Sequence, residues 1–147
     1  MAATSVPALL FLDFDGVLHP GSGAPGGVFG QAPALEAALA PWRCDSVISS
    51  SWRFHAPVQA ILQQLPQGLS RRVVSCTGPA HVGRWPRYHE IRAWLDINGG
   101  RASWRALDDA AFEFPDACPQ LIRCNPRTGF GAREAQAVHA WLGGMAG

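Results

Sequence analysis

Five short apolar stretches recur along the chain: Ala8 to Phe14, Ser46 to Ser50, Arg72 to Cys76, Ser103 to Leu107 and Gln120 to Asn125. Each has the length of one strand and runs into polar or turn-forming residues, the pattern of strands buried on both faces. Between them the apolar spacing becomes helical. Ala34 to Trp42 is rich in Ala, Leu and Glu behind Pro33, and Pro57 to Leu65 places Val58, Ile61, Leu62 and Leu65 on one face, at i, i+3, i+4 and i+7. Pro86 suits a first helical turn; after it Ile91, Trp94 and Leu95 form a stripe that ends before Asn98-Gly99-Gly100, a helix stop. Arg133 to Leu142 carries Ala137, Val138, Trp141 and Leu142 inward and then meets Gly143-Gly144. Strands alternating with helices of about ten residues need crossover connections, hence a parallel sheet with helices on both faces. The expected fold is a three-layer α/β domain around a central five-stranded parallel sheet.

Length and composition tighten this reading. A chain of 147 residues is expected to form a single domain, 1–147, burying roughly 68–70% of its unfolded surface without a disulfide or metal staple. Cys44, Cys76, Cys118 and Cys124 are scattered and form no CxxC pair, so they read as reduced, buried thiols of a cytoplasmic protein. The apolar run from Pro7 to Leu12 is stopped by Asp13 and has no basic residue before it, so no signal peptide is expected, and no run approaches the ~20 apolar residues of a membrane span. All twelve cations are arginine, set against eleven acids for a net charge of +1. The absence of lysine excludes a P-loop, Schiff-base chemistry and a lysine nucleophile, and the weak charge argues against a dedicated duplex-DNA binder. Gly21 to Gly30 is expected to be a flexible flap. Within it GSGAPG, Gly21 to Gly26, matches GxGxxG by letter, but it neither follows its strand directly nor opens a helix, as a dinucleotide fingerprint must.

The candidate chemistry lies where strands end. In LLFLDFDGVL, Leu9 to Leu18, a buried strand runs into Asp13 and Asp15, whose i, i+2 spacing projects both carboxylates to one side, with Gly16 allowing the turn beyond. In open α/β sheets ligands bind at the carboxyl ends of strands, and two crowded carboxylates there call for a cation or a shared proton. A second acidic pair, Asp108-Asp109, follows the strand ending in Leu107; on its own such a pair reads equally well as a helix cap. If the two strands are neighbours, Asp13, Asp15, Asp108 and Asp109 form an oxygen-rich site suited to Mg2+. VISSSWR, Val47 to Arg53, also puts polar groups after a strand: Ser50 is the favoured donor to a phosphoryl oxygen, Ser49 turns toward the core, and Ser51 reads as a helix cap.

These motifs, in this order, resemble the haloacid dehalogenase (HAD) superfamily of aspartate-dependent phosphohydrolases: strand-DxDG, strand-Ser, a basic residue on a later helix, then strand-DD. The resemblance covers nearly the whole chain. SSWR followed by RYHEIRAWL, Arg87 to Leu95, is closer still to the small HAD phosphatase domains found alone or in Swiss-army-knife RNA repair proteins. It implies a Rossmann-like core with a minimal, C0-type cap, Asp13 as nucleophile, Asp15 as general acid and base, Ser50 as phosphate hydroxyl and Asp109, beside Asp108, as metal acid. Where the family usually has lysine, the role falls to Arg87, or to Arg84 as second choice; a guanidinium holds phosphate oxygens bidentately and stays charged. The implied activity is Mg2+-dependent phosphomonoester hydrolysis through an aspartyl-phosphate. The expected substrate is a phosphorylated small molecule or a nucleic-acid end, with Trp52 or Trp85 available to stack on a base. Three other readings stay open. A nucleotidyl or glycosyl transferase or a nuclease would use the DxD carboxylates only as metal ligands, and an inactive HAD-like module would bind a partner without catalysis.

Overall fold

The computed structural model describes residues 7–19 and 29–146. Most of the expected flap, and all of GSGAPG, therefore lie outside the described residues. Five strands form one parallel sheet in the order β3-β2-β1-β4-β5: β1 Ala8–Leu12, β2 Asp45–Ile48, β3 Val73–Cys76, β4 Ser103–Asp108 and β5 Leu121–Arg123. All five residues of β1 are buried, as the continuous apolar run requires of a central strand covered on both sides. Leu10 and Leu12, with Ile48 and Leu107, face a core completed by α1 (Ala32–Leu39), α2 (Val58–Leu62), α3 (Gln67–Ser70) and α5 (Ala132–Ala146). Leu9, Phe11, Val47, Trp104 and Ala106 point the other way, onto Ile91 and Leu95 of α4 (Pro86–Asn98). Phe11 sits edge-on to Trp94 and Trp104, with ring centroids 5.6 and 5.7 Å away.

The strand order places the site. From β1 the chain moves outward through β2 to β3 and then returns to the opposite flank of β1 as β4, so the carboxyl ends of β1 and β4 bound the crevice where the winding reverses, the usual ligand position in such sheets. Leu12 and Leu107 are register partners, and the Asp13 amide donates to the Leu107 carbonyl at 3.1 Å. The residues after them, Asp13 and Asp108, are thereby brought side by side.

The helices depart from expectation at two points. The Pro57 to Leu65 helix is broken after Leu62, and α3 restarts beyond Pro66, because a proline disfavours helical conformation in the residue before it and cannot donate to the preceding turn. Conversely α5 runs straight through Gly143-Gly144, since Met145 still packs against the core and that contact outweighs the glycine cost of roughly 1 kcal/mol each. The four cysteines are free, but only Cys44 and Cys124 are buried, while Cys76 and Cys118 are half-buried. No helix among the described residues is long and apolar enough to cross a membrane.

Candidate active site

Asp13 and Asp108 are buried on the α4 side of the sheet, and Asp109 beside them is half-buried. One carboxylate oxygen from each of the three lies within 4.8 Å of the others. Room for Asp109 comes from Gly16: its φ of +77° suits glycine, and a Cβ there would stand 2.9 Å from the Asp109 Cβ, closer than carbon atoms approach. Asp108 also holds the following turn, its Oδ1 accepting from the Ala110 amide at 2.9 Å, while the short helix Ala111–Glu113 has no side-chain cap. The acidic pair thus stands as part of a carboxylate cluster rather than as a helix cap.

Arg87, in the first turn of α4, supplies the positive charge. Its Nη1 donates to Asp108 Oδ2 at 2.7 Å and to the Ser49 carbonyl at 2.8 Å, and lies 3.3 Å from Asp13 Oδ1, while Nη2 meets Glu113 Oε2 at 3.3 Å. Burial works against the guanidinium charge, but Asp108, Asp13, Glu113 and Glu90 outweigh it and hold Arg87 firmly protonated. The reverse is true of the acids. Burial first, then the charge of Asp108, pushes Asp13 up to about 8 against the pull of Arg87 and the Phe14 amide. Burial likewise lifts Asp108 to about 6, although Arg87 and the Ala110 amide pull it down. Three carboxylates, Asp13, Asp108 and Glu113, therefore share one guanidinium, with Asp109 beside them, and the deficit of positive charge is concentrated between Asp13, Asp108 and Asp109. An all-oxygen, electron-rich donor set of this kind fits a hard divalent cation such as Mg2+.

The other expected residues separate. Asp15 does not join the three carboxylates: its exposed side chain turns to His19, whose Nε2 is 2.7 Å from Oδ1, and to Trp52, whose Nε1 donates to both oxygens at 3.3 Å. Arg84 is exposed, with its guanidinium 4.6 Å above the Trp85 ring, so of the two candidate arginines it is Arg87 that meets the carboxylates. Ser50 takes the capping role expected of Ser51, its Oγ accepting from the Trp52 amide at 3.2 Å. Ser49 is buried, and its Oγ has no partner among the described residues. Trp52 spends its N–H on Asp15 and packs on Phe14 and Phe29, while Trp85 lies under the Arg84 guanidinium and stacks with His89 at 6.3 Å.

Glu113, in the turn Ala111–Glu113, escaped sequence reasoning, having no motif around it. His19, four residues beyond Asp15 and close to the site along the chain, reads as a loop or surface residue, but it is buried. Glu90 lies within RYHEIRAWL, which gave no sign of its partner: it is buried against Arg53 at 2.9 Å.

A sequence profile of the HAD domain in Swiss Army Knife RNA repair proteins matches residues 9–135, which span all five strands and every carboxylate of the cluster. The chain belongs to this family. No curated protein and no solved structure matches it. Membership of the HAD family carries a phosphohydrolase type of function, and this HAD domain has a carboxylate cluster at the sheet end able to hold a metal ion.

Proposed function

We propose that the protein is a Mg2+-dependent phosphomonoester hydrolase that acts through an aspartyl-phosphate, with a nucleotide or nucleic-acid end phosphate as substrate. The observation that carries this reading is the convergence of Asp13, Asp108 and Asp109 within 4.8 Å at the reversal point of the sheet, on a family profile of matching type. Asp13, Asp108 and Asp109 would hold Mg2+, which when bound supplies neutralisation of the crowded carboxylates and of the phosphoryl oxygens. Arg87, anchored by Asp108 and Glu113, orients the same oxygens by charge. A carboxylate oxygen of Asp13 attacks phosphorus in line. The bond from phosphorus to the ester oxygen breaks, and Asp15 gives its proton to that oxygen, releasing the alcohol. Water then attacks the phosphorus of the aspartyl-phosphate and passes a proton to Asp15, which restores Asp13 and frees phosphate. Ser50, whose Oγ accepts from the Trp52 amide and keeps its O–H free to donate, is the proposed phosphate hydroxyl, with Ser49, whose buried hydroxyl has no partner among the described residues, as a second donor.

The proposal is tested with mononucleotides, simple aryl and alkyl phosphates, and 5′- and 3′-phosphorylated RNA and DNA oligomers, each with Mg2+ and with EDTA. Mg2+-dependent release of phosphate, together with trapping of a beryllium fluoride adduct on Asp13, is expected. Transfer or strand cleavage without phosphate release would favour the DxD carboxylates as metal ligands alone, and inertness toward the whole panel would favour a binding module.

A further inference from the structure

Asp15 must hold one orientation if it is to meet both the leaving oxygen and the later water. It stands half exposed at the mouth of the site, its side chain 55% accessible, where an unrestrained carboxylate rotates freely. Two N–H groups constrain it. Trp52 Nε1 straddles Oδ1 and Oδ2 at 3.3 Å from each, long for a hydrogen bond. His19 Nε2 is much closer, 2.7 Å from Oδ1. The tautomer is set by the backbone: the Phe29 amide donates to His19 Nδ1 at 3.2 Å, so Nδ1 is the acceptor nitrogen and Nε2 carries the proton. The ring is buried beside Phe29 and Trp52, tilted 48° and 50° to them with centroids 5.5 and 6.0 Å away, and the His19 carbonyl accepts from the Gly16 amide at 2.8 Å. The imidazole is thus fixed at both nitrogens and packed against two aromatic rings, with a single N–H aimed at the carboxylate.

We infer that His19 is the positioning residue of the general acid: by donating to Oδ1 it fixes the carboxyl plane and leaves Oδ2 to carry the transferable proton. This rests on the assignment of Asp15 as the acid in the proposed function. His19 touches no reacting atom; it acts through Asp15.

Leaving-group dependence separates this role from a merely structural one. The ratio kcat/KM covers steps only through departure of the leaving group, and a displaced acid costs most where that group is a poor one. His19→Ala is expected to lower kcat/KM for an alkyl phosphate by roughly 10–100-fold and for 4-nitrophenyl phosphate less than about 5-fold, with KM little changed for either. His19→Gln, which keeps an N–H donor near the Nε2 position, should recover most of the alkyl activity. Asp15→Asn is the control, and adding His19→Ala to it should cost nothing further. If Asp15→Asn shows the leaving-group bias and His19→Ala does not, with its circular dichroism and melting unchanged, the positioning role is overturned. A uniform loss in both substrates that Gln does not repair overturns it as well, by reducing His19 to a packing residue. If Asp15→Asn itself shows no bias, the acid assignment fails, and the inference with it.

Discussion

Helix α4 carries two buried ionic clusters one turn apart, and they are built on opposite principles. In the first, Arg53 and Glu90 face each other with side chains 4% and 7% exposed. Arg53 Nε donates to the Gly78 carbonyl at 3.0 Å, Nη1 to the Ser50 carbonyl at 2.9 Å and Nη2 to Glu90 Oε1 at 2.9 Å, while Glu90 Oε2 accepts from the His81 amide at 3.0 Å. Charge balances one to one. In the second, Arg87 faces Asp13, Asp108 and Glu113, with Asp109 beside them, and charge does not balance. Burying ions is costly unless they are paired and hydrogen-bonded; the first cluster meets that condition within the protein and ties the β2 loop to α4. The second meets it only if a cation arrives. Completeness marks the structural cluster, and deficit marks the candidate site.

The sharpest break of this contrast is Asp13→Asn. Removing the proposed nucleophile is expected to lower turnover by about 10^4-fold or more. Yet the metal-free protein should become more stable at pH 8, by about 1–3 kcal/mol, because a buried acid without sufficient partners is gone; urea unfolding with EDTA measures this. Glu90→Ala should do the reverse. It leaves Arg53 buried without its carboxylate and is expected to cost about 3–5 kcal/mol, a loss that Mg2+ does not restore in the same unfolding assay. A variant pair with equal signs in that assay would erase the distinction between the clusters.

A subtler probe uses pH. Asp13 rises from 3.8 in the unfolded chain to about 8 in the folded protein, and Asp108 shifts in the same direction. A raised carboxyl favours folding while it is protonated, so its contribution is complete below about pH 4 and is lost as pH climbs to about 8. The EDTA-treated protein should therefore melt at progressively lower temperature across that window. Mg2+ at a hundred times its Kd adds about 2.7 kcal/mol, and because the ion competes with protons for the same oxygens, a given concentration should stabilise more at pH 8 than at pH 5. An equal Mg2+ shift at both pH values in thermal melts would place the ion elsewhere.

The contrast also shows what a linear reading can reach. Asp13 and Asp108 were legible because strand periodicity, parallel topology and the position of acids at strand ends all act over short distances along the chain. The division of labour within each motif was not. Asp15 leaves the cluster because the turn at Gly16 and the buried ring of His19 redirect it, and Ser50 rather than Ser51 becomes the cap because the turn Ser51–Phe54 begins one residue earlier than the spacing suggested. Glu113 and Glu90 reach their arginines across 26 and 37 residues of chain, and a carboxylate carries no local signal of such a partner. The helix break at Pro66 was readable in principle. The continuation of α5 through two glycines was not, since it depends on what Met145 meets.

The smallest expected effect concerns the arginine that stands outside both clusters. Arg84 lies three residues before Arg87 and is the second choice for the basic group of the third motif. Its guanidinium is exposed and stacks 4.6 Å over Trp85, a contact worth about 0.5–1 kcal/mol at such a site. Arg84→Ala should change stability by no more than that and leave kcat on 4-nitrophenyl phosphate within about twofold, because an exposed charge screened by water does little for a phosphoryl group held between Arg87 and the carboxylates. Any effect should fall on KM for phosphorylated oligomers, where Trp85 and Arg84 can meet a base or a second phosphate. A large loss of kcat on the small ester would move the catalytic cation from the buried position on α4 to the exposed one.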